Sequence, residues 1–275
     1  MRVWILACAA AVRLFAQMPE GYLDVDVAKV KMGSRMDFDE LNKKMKEMNR
    51  KNGDRWFAYE VVFGDSANVC FVESRSSYAD AWNGMKAFED AITRALGEHG
   101  MRAMFNQWDS LVESEHETLY RRRWDLSSNV PSNLAEYYKR VGQAHWVYVQ
   151  TVHVRPDKSL DYEAALGRLK EARDRDGSDI GYWATTAVAG ASPGTFRITA
   201  LLKSLGDLDK TKTVRQVLGD GFSAYLSTVE SSQIEIGRFI PELSHPPDEA
   251  VAADPDFWQP KAAAPAKPKA NTKQP

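Results

Sequence analysis

Residues 22–31 read YLDVDVAKVK, and the alternation places Leu23, Val25 and Val27 on one face of a half-buried strand, with Asp24 and Asp26 on the other. A buried aspartate of this kind can serve as a general base. A second set of chemical groups lies in YRRRW, residues 120–124. On a strand, Arg121 and Arg123 share one face while Tyr120, Arg122 and Trp124 share the other. If that strand is covered on both sides, three successive arginines cannot all stay in water, and at least one must meet a carboxylate or a bound anion. Asp24, Asp26, Glu60 and Glu73 are the acids on neighbouring strands. Two readings follow. One is a structural network of paired charges; the other is a site where Asp26 takes a proton and Arg121 or Arg123 stabilises an enolate or carboxylate.

Other chemistries leave no mark. His116 sits in the run Glu113-Ser114-Glu115-His116-Glu117 without a second histidine at ligand spacing, so this run reads as a charged exposed face and no metal site is expected. Glycine-rich phosphate loops, serine nucleophile elbows and paired-cysteine motifs are absent. The formal net charge of −2 excludes a dedicated nucleic-acid binder, which needs excess lysine and arginine to face phosphates. Of the two cysteines, Cys8 lies in a segment read as removable, and Cys70 stands alone on a strand.

The elements that must position these groups come in a repeating order. In the first half, strands are predicted over 22–31, 56–63, 69–73 and 118–124, with helices over 37–52 (stopped by Gly53), 78–96 and 98–109. In the second half, strands are predicted over 146–154, 182–189, 195–202 and 234–240, with helices over 161–176, 209–218 and 222–228. The stretch Val112-Glu113-Ser114 returns 117 residues later as Val229-Glu230-Ser231, and Leu126-Ser127 as Leu243-Ser244. Asp37, Phe38 and Gly53 meet Asp161, Tyr162 and Gly177 at a spacing of 124. This is an internal repeat of β-α-β-β-α-β units, the first over 18–140 and the second over 141–245. Tyr148 and Gln150 occupy the places of Asp24 and Asp26 in the second unit.

The two ends read differently from the middle. Residues 1–17, MRVWILACAAAVRLFAQ, have a basic start, a short apolar run and small residues at the end, the pattern of a signal peptide. That apolar run is too short for a membrane helix, and no other segment is long and apolar enough. Residues 246–275 read as a Pro/Ala/Lys-rich disordered tail that Phe257-Trp258 could pin to the domain.

Two tandem units of this kind resemble the dimeric α/β barrel superfamily, over roughly residues 22–244. The plan is similar to that of antibiotic-biosynthesis monooxygenases, stress-responsive barrel proteins and NIPSNAP-like proteins. The resemblance implies an α+β fold in which two ferredoxin-like units form an intrachain pseudo-dimeric barrel, with helices on one sheet face and a central cavity on the other. It places Asp24, Asp26, Glu60, Glu73, Arg121, Arg123, Tyr148 and Gln150 as candidates for that cavity, provided Leu23, Val25 and Val27 pack under the helices. Members of the superfamily range from cofactor-free oxygenases to haem proteins and proteins without known chemistry. A haem would need an axial ligand, and only His145 and His153 flank or lie on a strand; both read as structural, so no cofactor is expected. The sequence reading is therefore an exported, monomeric barrel that binds a small ligand or partner in the inter-sheet cavity. A cofactor-independent oxygenase or isomerase is the alternative.

Overall fold

A computed structural model describes residue 18, residues 21–51 and residues 54–260. Residues 1–17, Gly53 and residues 261–275, to which the signal peptide, one helix stop and most of the tail were assigned, lie outside these described residues. Eight antiparallel strands close into a barrel: β1 (Tyr22–Val30), β2 (Trp56–Phe63), β3 (Asn68–Arg75), β4 (Val112–Arg123), β5 (Trp146–Val154), β6 (Tyr182–Ala189), β7 (Thr195–Leu202) and β8 (Val229–Phe239). The strand order around it is β1-β3-β2-β8-β5-β7-β6-β4. β2 meets β8 and β4 meets β6, so closure leaves no free edge.

Helices α1 (Arg35–Asn49) and α2 (Tyr78–Leu111) cover the outer face of β1–β4, while α3 (Leu134–Gly142) packs at a barrel end. α4 (Ser159–Asp176), α5 (Val214–Leu218) and α6 (Phe222–Thr228) cover the second half; α7 (Asp248–Ala253) and α8 (Pro255–Trp258) follow β8. α1 buries Phe38, Leu41 and Met45, one stripe at helical spacing. α2 breaks at Gly97, whose φ of 71° and ψ of 167° are foreign to a helix and open to glycine. This is where sequence reading separates residues 78–96 from 98–109. α3, which the sequence reading omitted, starts at Asn133, whose side chain accepts from the Glu136 N–H at 2.9 Å.

The lumen is largely filled, with one small cavity of about 60 Å³ left in it. Phe57, Tyr59 and Val61 of β2 meet Cys70, Val147, Val149, Trp183 and Phe239 inside, with Val27 and Val72 beside them. The tail region contributes to this core, since Trp258 is buried, packs 5.5 Å from Phe57 and donates its indole N–H to the Gly142 carbonyl at 2.7 Å. The chain therefore continues as helices through α7 and α8, within the stretch from residue 246 that was read as tail.

The repeated residues have structural reasons. The β1–β4 register slips between Lys29 and Val30, opposite Ser114 and Val112, and the β5–β8 register slips between His153 and Val154, opposite Ser231 and Val229. Glu113 and Glu230 are thus the extra residues of two β-bulges, and β4 and β8 begin earlier than predicted because the polar residues beyond each bulge still pair on one side. Ser127 accepts from the Ala184 N–H at 2.8 Å and donates to the Arg123 carbonyl at 2.7 Å. Ser244 does the same with the Ala58 N–H at 2.8 Å and the Ile240 carbonyl at 2.8 Å. Both serines are fully buried, so each hydroxyl satisfies a strand group that water cannot reach. Ser244→Ala is expected to cost about 1–3 kcal/mol by orphaning the Ala58 N–H, read as a lower urea midpoint with an unchanged slope.

Candidate functional site

Alternation on β1 is as predicted, but its sense is reversed. Leu23 lines the lumen and Val27 packs into the lumen cluster, whereas Ala28 and Val30 belong to the cluster under α1 and α2. Asp24 and Asp26 share the parity of Ala28 and so face the helices. The reason is space and water: the lumen is packed with aromatic and branched side chains that cannot solvate a carboxylate, while the outer face opens along β4. Tyr148 and Gln150 follow the same correction, sharing a face with Val152 and Val154 under the second set of helices.

Between β1, β3, β4 and the two helices lies a groove of about 300 Å³. Trp56, Phe71, Phe88, Phe105 and Trp108 form its apolar wall, and Asp24, Asp26, Asp54, Glu73, Glu89, Asp109, Glu115 and Glu117 bring eight carboxylates to it. Arg75, which is 6% exposed, is the cation among the lining residues. Its guanidinium donates to Asp54 at 2.8 Å, lies 3.7 Å from Asp24 and contacts Glu73. It also lies flat against Gly84 of α2, where even a methyl group would meet Nη1 at 2.2 Å.

The carboxylates outnumber their cation, and their titration shows it. Burial, followed by the charge of Glu117, pushes Asp24 up to about 6 despite the opposing pull of Arg75. Burial, then the charges of Glu115 and Glu117, pushes Asp26 up to about 8. Asp24 meets Glu117 and Asp26 meets Glu115, carboxyl against carboxyl, and each contact adds to the upward shift of the aspartate. The Oδ1 of Asp26 is buried without a hydrogen-bond partner among the described residues. Trp108 donates its indole N–H to Glu115 at 3.3 Å. The groove therefore combines aromatic faces with negative charge that the protein itself leaves only partly neutralised.

The remaining predicted residues are elsewhere. Glu60 is held by Arg35 at 2.8 Å and by Arg238, outside the groove. Arg123 is paired with Glu163 of α4 at 2.7 Å and Asp125 at 2.8 Å, and Arg121 is exposed. Neither lines the groove, so the pairing of Asp26 with Arg121 or Arg123 is not assembled. Arg122 faces the lumen end, donating to Ser74 at 2.8 Å and stacking over Tyr137. His145 contacts Asp254 at 2.8 Å and stacks on Phe257; His153 contacts Thr195 at 3.0 Å. Among the described residues, no cluster of three or more His, Cys, Asp or Glu could hold a metal ion.

Arg75, Glu115 and Glu117 were missed by the sequence reading. The signal for Arg75 was its alternation with Glu73 on one strand; that for the glutamates was their own alternation in a run taken as a solvated face. In the second half the corresponding space is filled. Tyr148, Tyr162, Tyr182 and Tyr225 surround Arg173, whose guanidinium lies 3.5 Å above the Tyr182 ring, and Gln150 donates to Ser232 at 2.9 Å.

No family model matches the sequence, and no curated protein matches it. Solved structures share the fold. A candidate monooxygenase from Lactobacillus acidophilus is similar at a TM-score of 0.51 and 7% identity, over 80% of this chain and 94% of that one. An anthrone oxidase-like protein is similar at 0.51 and 9%, over 80% and 91%. A candidate chlorite dismutase is similar at 0.51 and 12%, over 86% and 98%. Identities this low show the architecture alone: an α+β fold whose eight antiparallel strands close into a barrel.

The groove makes stability depend on pH in a defined direction. Asp24 and Asp26 have folded pKa values above their ordinary 3.8, so between about pH 4 and pH 8 these two groups hold more protons in the folded chain than in the unfolded one. Their contribution to stability then falls as pH rises through that window. Asp26→Asn should flatten this fall and leave the variant more stable than wild type at pH 8, by urea titration across pH. An unchanged slope would show that Asp26 is not protonated in the groove.

Proposed function

We propose that this chain is an exported small-molecule-binding protein whose ligand is an organic cation with an apolar body, held in the groove of the first half. The observation that carries this reading is the excess of carboxylates over cations in an aromatic-walled cleft. A bound ammonium or amidinium group would ionise Asp26 and supply the missing countercharge, while Trp56 and Trp108 offer π-faces to the same cation. Apolar lining with a few convergent polar groups is the usual character of a small-molecule site. Export rests on residues 1–17. Closure of the barrel within one chain supports a monomer built from two fused ferredoxin-like units.

A second reading draws on the pKa of Asp26 near 8. A carboxylate poised close to neutrality suits proton abstraction from an acidic C–H group, the first step expected of an oxygenase or isomerase without a cofactor. In that reading Arg75 replaces Arg121 and Arg123 as the nearby cation.

Titration with benzyltrimethylammonium, followed by tryptophan fluorescence, tests the binding reading. The cation should bind at least about tenfold more tightly than its neutral carbon isostere, the equivalent of one favourable charge contact. Its affinity should rise from pH 6 to pH 8 and drop in Asp26→Asn. Equal affinity for the isostere would contradict a cation site.

A further inference from the structure

We propose that the barrel lumen holds a small monovalent anion, of the size of a halide, nitrate or bicarbonate, on the guanidinium of Arg197. This site is separate from the groove, which lies on the other face of the sheet. Arg197 projects inward from β7 and is only 6% exposed. It borders a lumen cavity of about 60 Å³, room for about two water-sized bodies.

The charge of Arg197 has no countercharge in contact. One Nη donates to the Tyr59 hydroxyl at 2.7 Å, and the Tyr120 ring lies 5.8 Å away. Tyr59 is neutral, since burial raises its pKa well above the usual tyrosine value, and burial pushes the neighbouring Cys70 thiol up to about 11. Among the described residues no carboxylate makes an ion pair with Arg197. Glu235 of β8 is the acid whose charge reaches it, without coming into contact, and burial raises the pKa of that carboxyl. Thr185 faces it from β6 and gives its hydroxyl to the Arg197 carbonyl at 3.3 Å.

Two donors remain. The Nε of Arg197 and the hydroxyl of Thr199, two residues apart on the same face of β7, are buried without hydrogen-bond partners among the described residues. A guanidinium buried without its countercharge is strongly unfavourable, and so is an unsatisfied buried donor. One anion between Nε and the Thr199 hydroxyl removes both penalties. The apolar surround of Val72, Leu201 and Phe239 and the small volume select against large or doubly charged species.

The test is crystallographic and thermal, with sodium bromide as the probe. Anomalous scattering from wild-type crystals grown in bromide should place a single bromide in the lumen beside Arg197 Nε. In solution, replacing gluconate with bromide at constant ionic strength should raise the melting midpoint of wild type and leave that of Arg197→Gln unmoved. A lumen without bromide overturns the proposal, as does a Glu235 carboxylate closed onto the guanidinium. Because the first measurement uses the unmodified protein, the proposal stays testable even if Arg197→Gln does not fold.

Discussion

The burial of Arg75 is the interaction on which the functional half of this molecule depends. A guanidinium 6% exposed needs compensation for its lost water, and here Asp24, Asp54 and Glu73 supply it, converging from β1, the approach to β2, and β3. That convergence ties the strands to one another, and the absence of a side chain at Gly84 lets α2 settle directly onto the guanidinium. With these three carboxylates drawn to Arg75, Asp26, Glu115 and Glu117 stand in the groove without a cation of their own. Protons on Asp24 and Asp26 relieve the repulsion in the free protein, and a cation in the groove would relieve it better. The same imbalance thus links the packing of the first half, its pH dependence and the chemistry of its ligand.

The two halves of the chain place different side chains at the positions that the sequence spacing aligns. Where the first half has Asp24, Asp26, Phe38 and Trp108, the second has Tyr148, Gln150, Tyr162 and Tyr225 in corresponding positions. Tyrosine rings close the space, and Arg173 is stabilised by their faces rather than by carboxylates. The acidic groove of the first half has no acidic counterpart at these positions of the second. Both halves fill the lumen down to a cavity of about 60 Å³, so the room for an organic ligand lies outside the barrel, in the groove of about 300 Å³ under α1 and α2.

Much of this architecture was legible in the chain. The strand at residues 56–63, the strands at 146–154, 182–189 and 195–202, and the break of α2 at Gly97 could be read directly, because alternation and a single misfit glycine are local signals. The repeated Val-Glu-Ser and Leu-Ser pairs marked bulges and buried serine latches before their purpose was known. The face of β1 was not legible, because alternation separates Asp24 from Val25 without saying which of them meets the helices. That choice depends on what the other seven strands contribute to the lumen, which is information of long range. Glu115 and Glu117 were hidden for a related reason: an acidic run looks like a solvated edge until the opposing Asp24 and Asp26 are placed. Arg75 carried no mark beyond one alternation with Glu73. Helix α3 could have been found from Asn133 and Glu136, a capping pattern in plain view.

The central claim is that the free protein stores protons on carboxylates that a cationic ligand will ionise. Calorimetric titration with benzyltrimethylammonium near pH 7, repeated in buffers of different ionisation enthalpy, counts those protons directly. The account predicts net proton release on binding, because a cation beside Asp24 and Asp26 lowers pKa values that burial has raised. Binding without proton release, or with uptake, would contradict it.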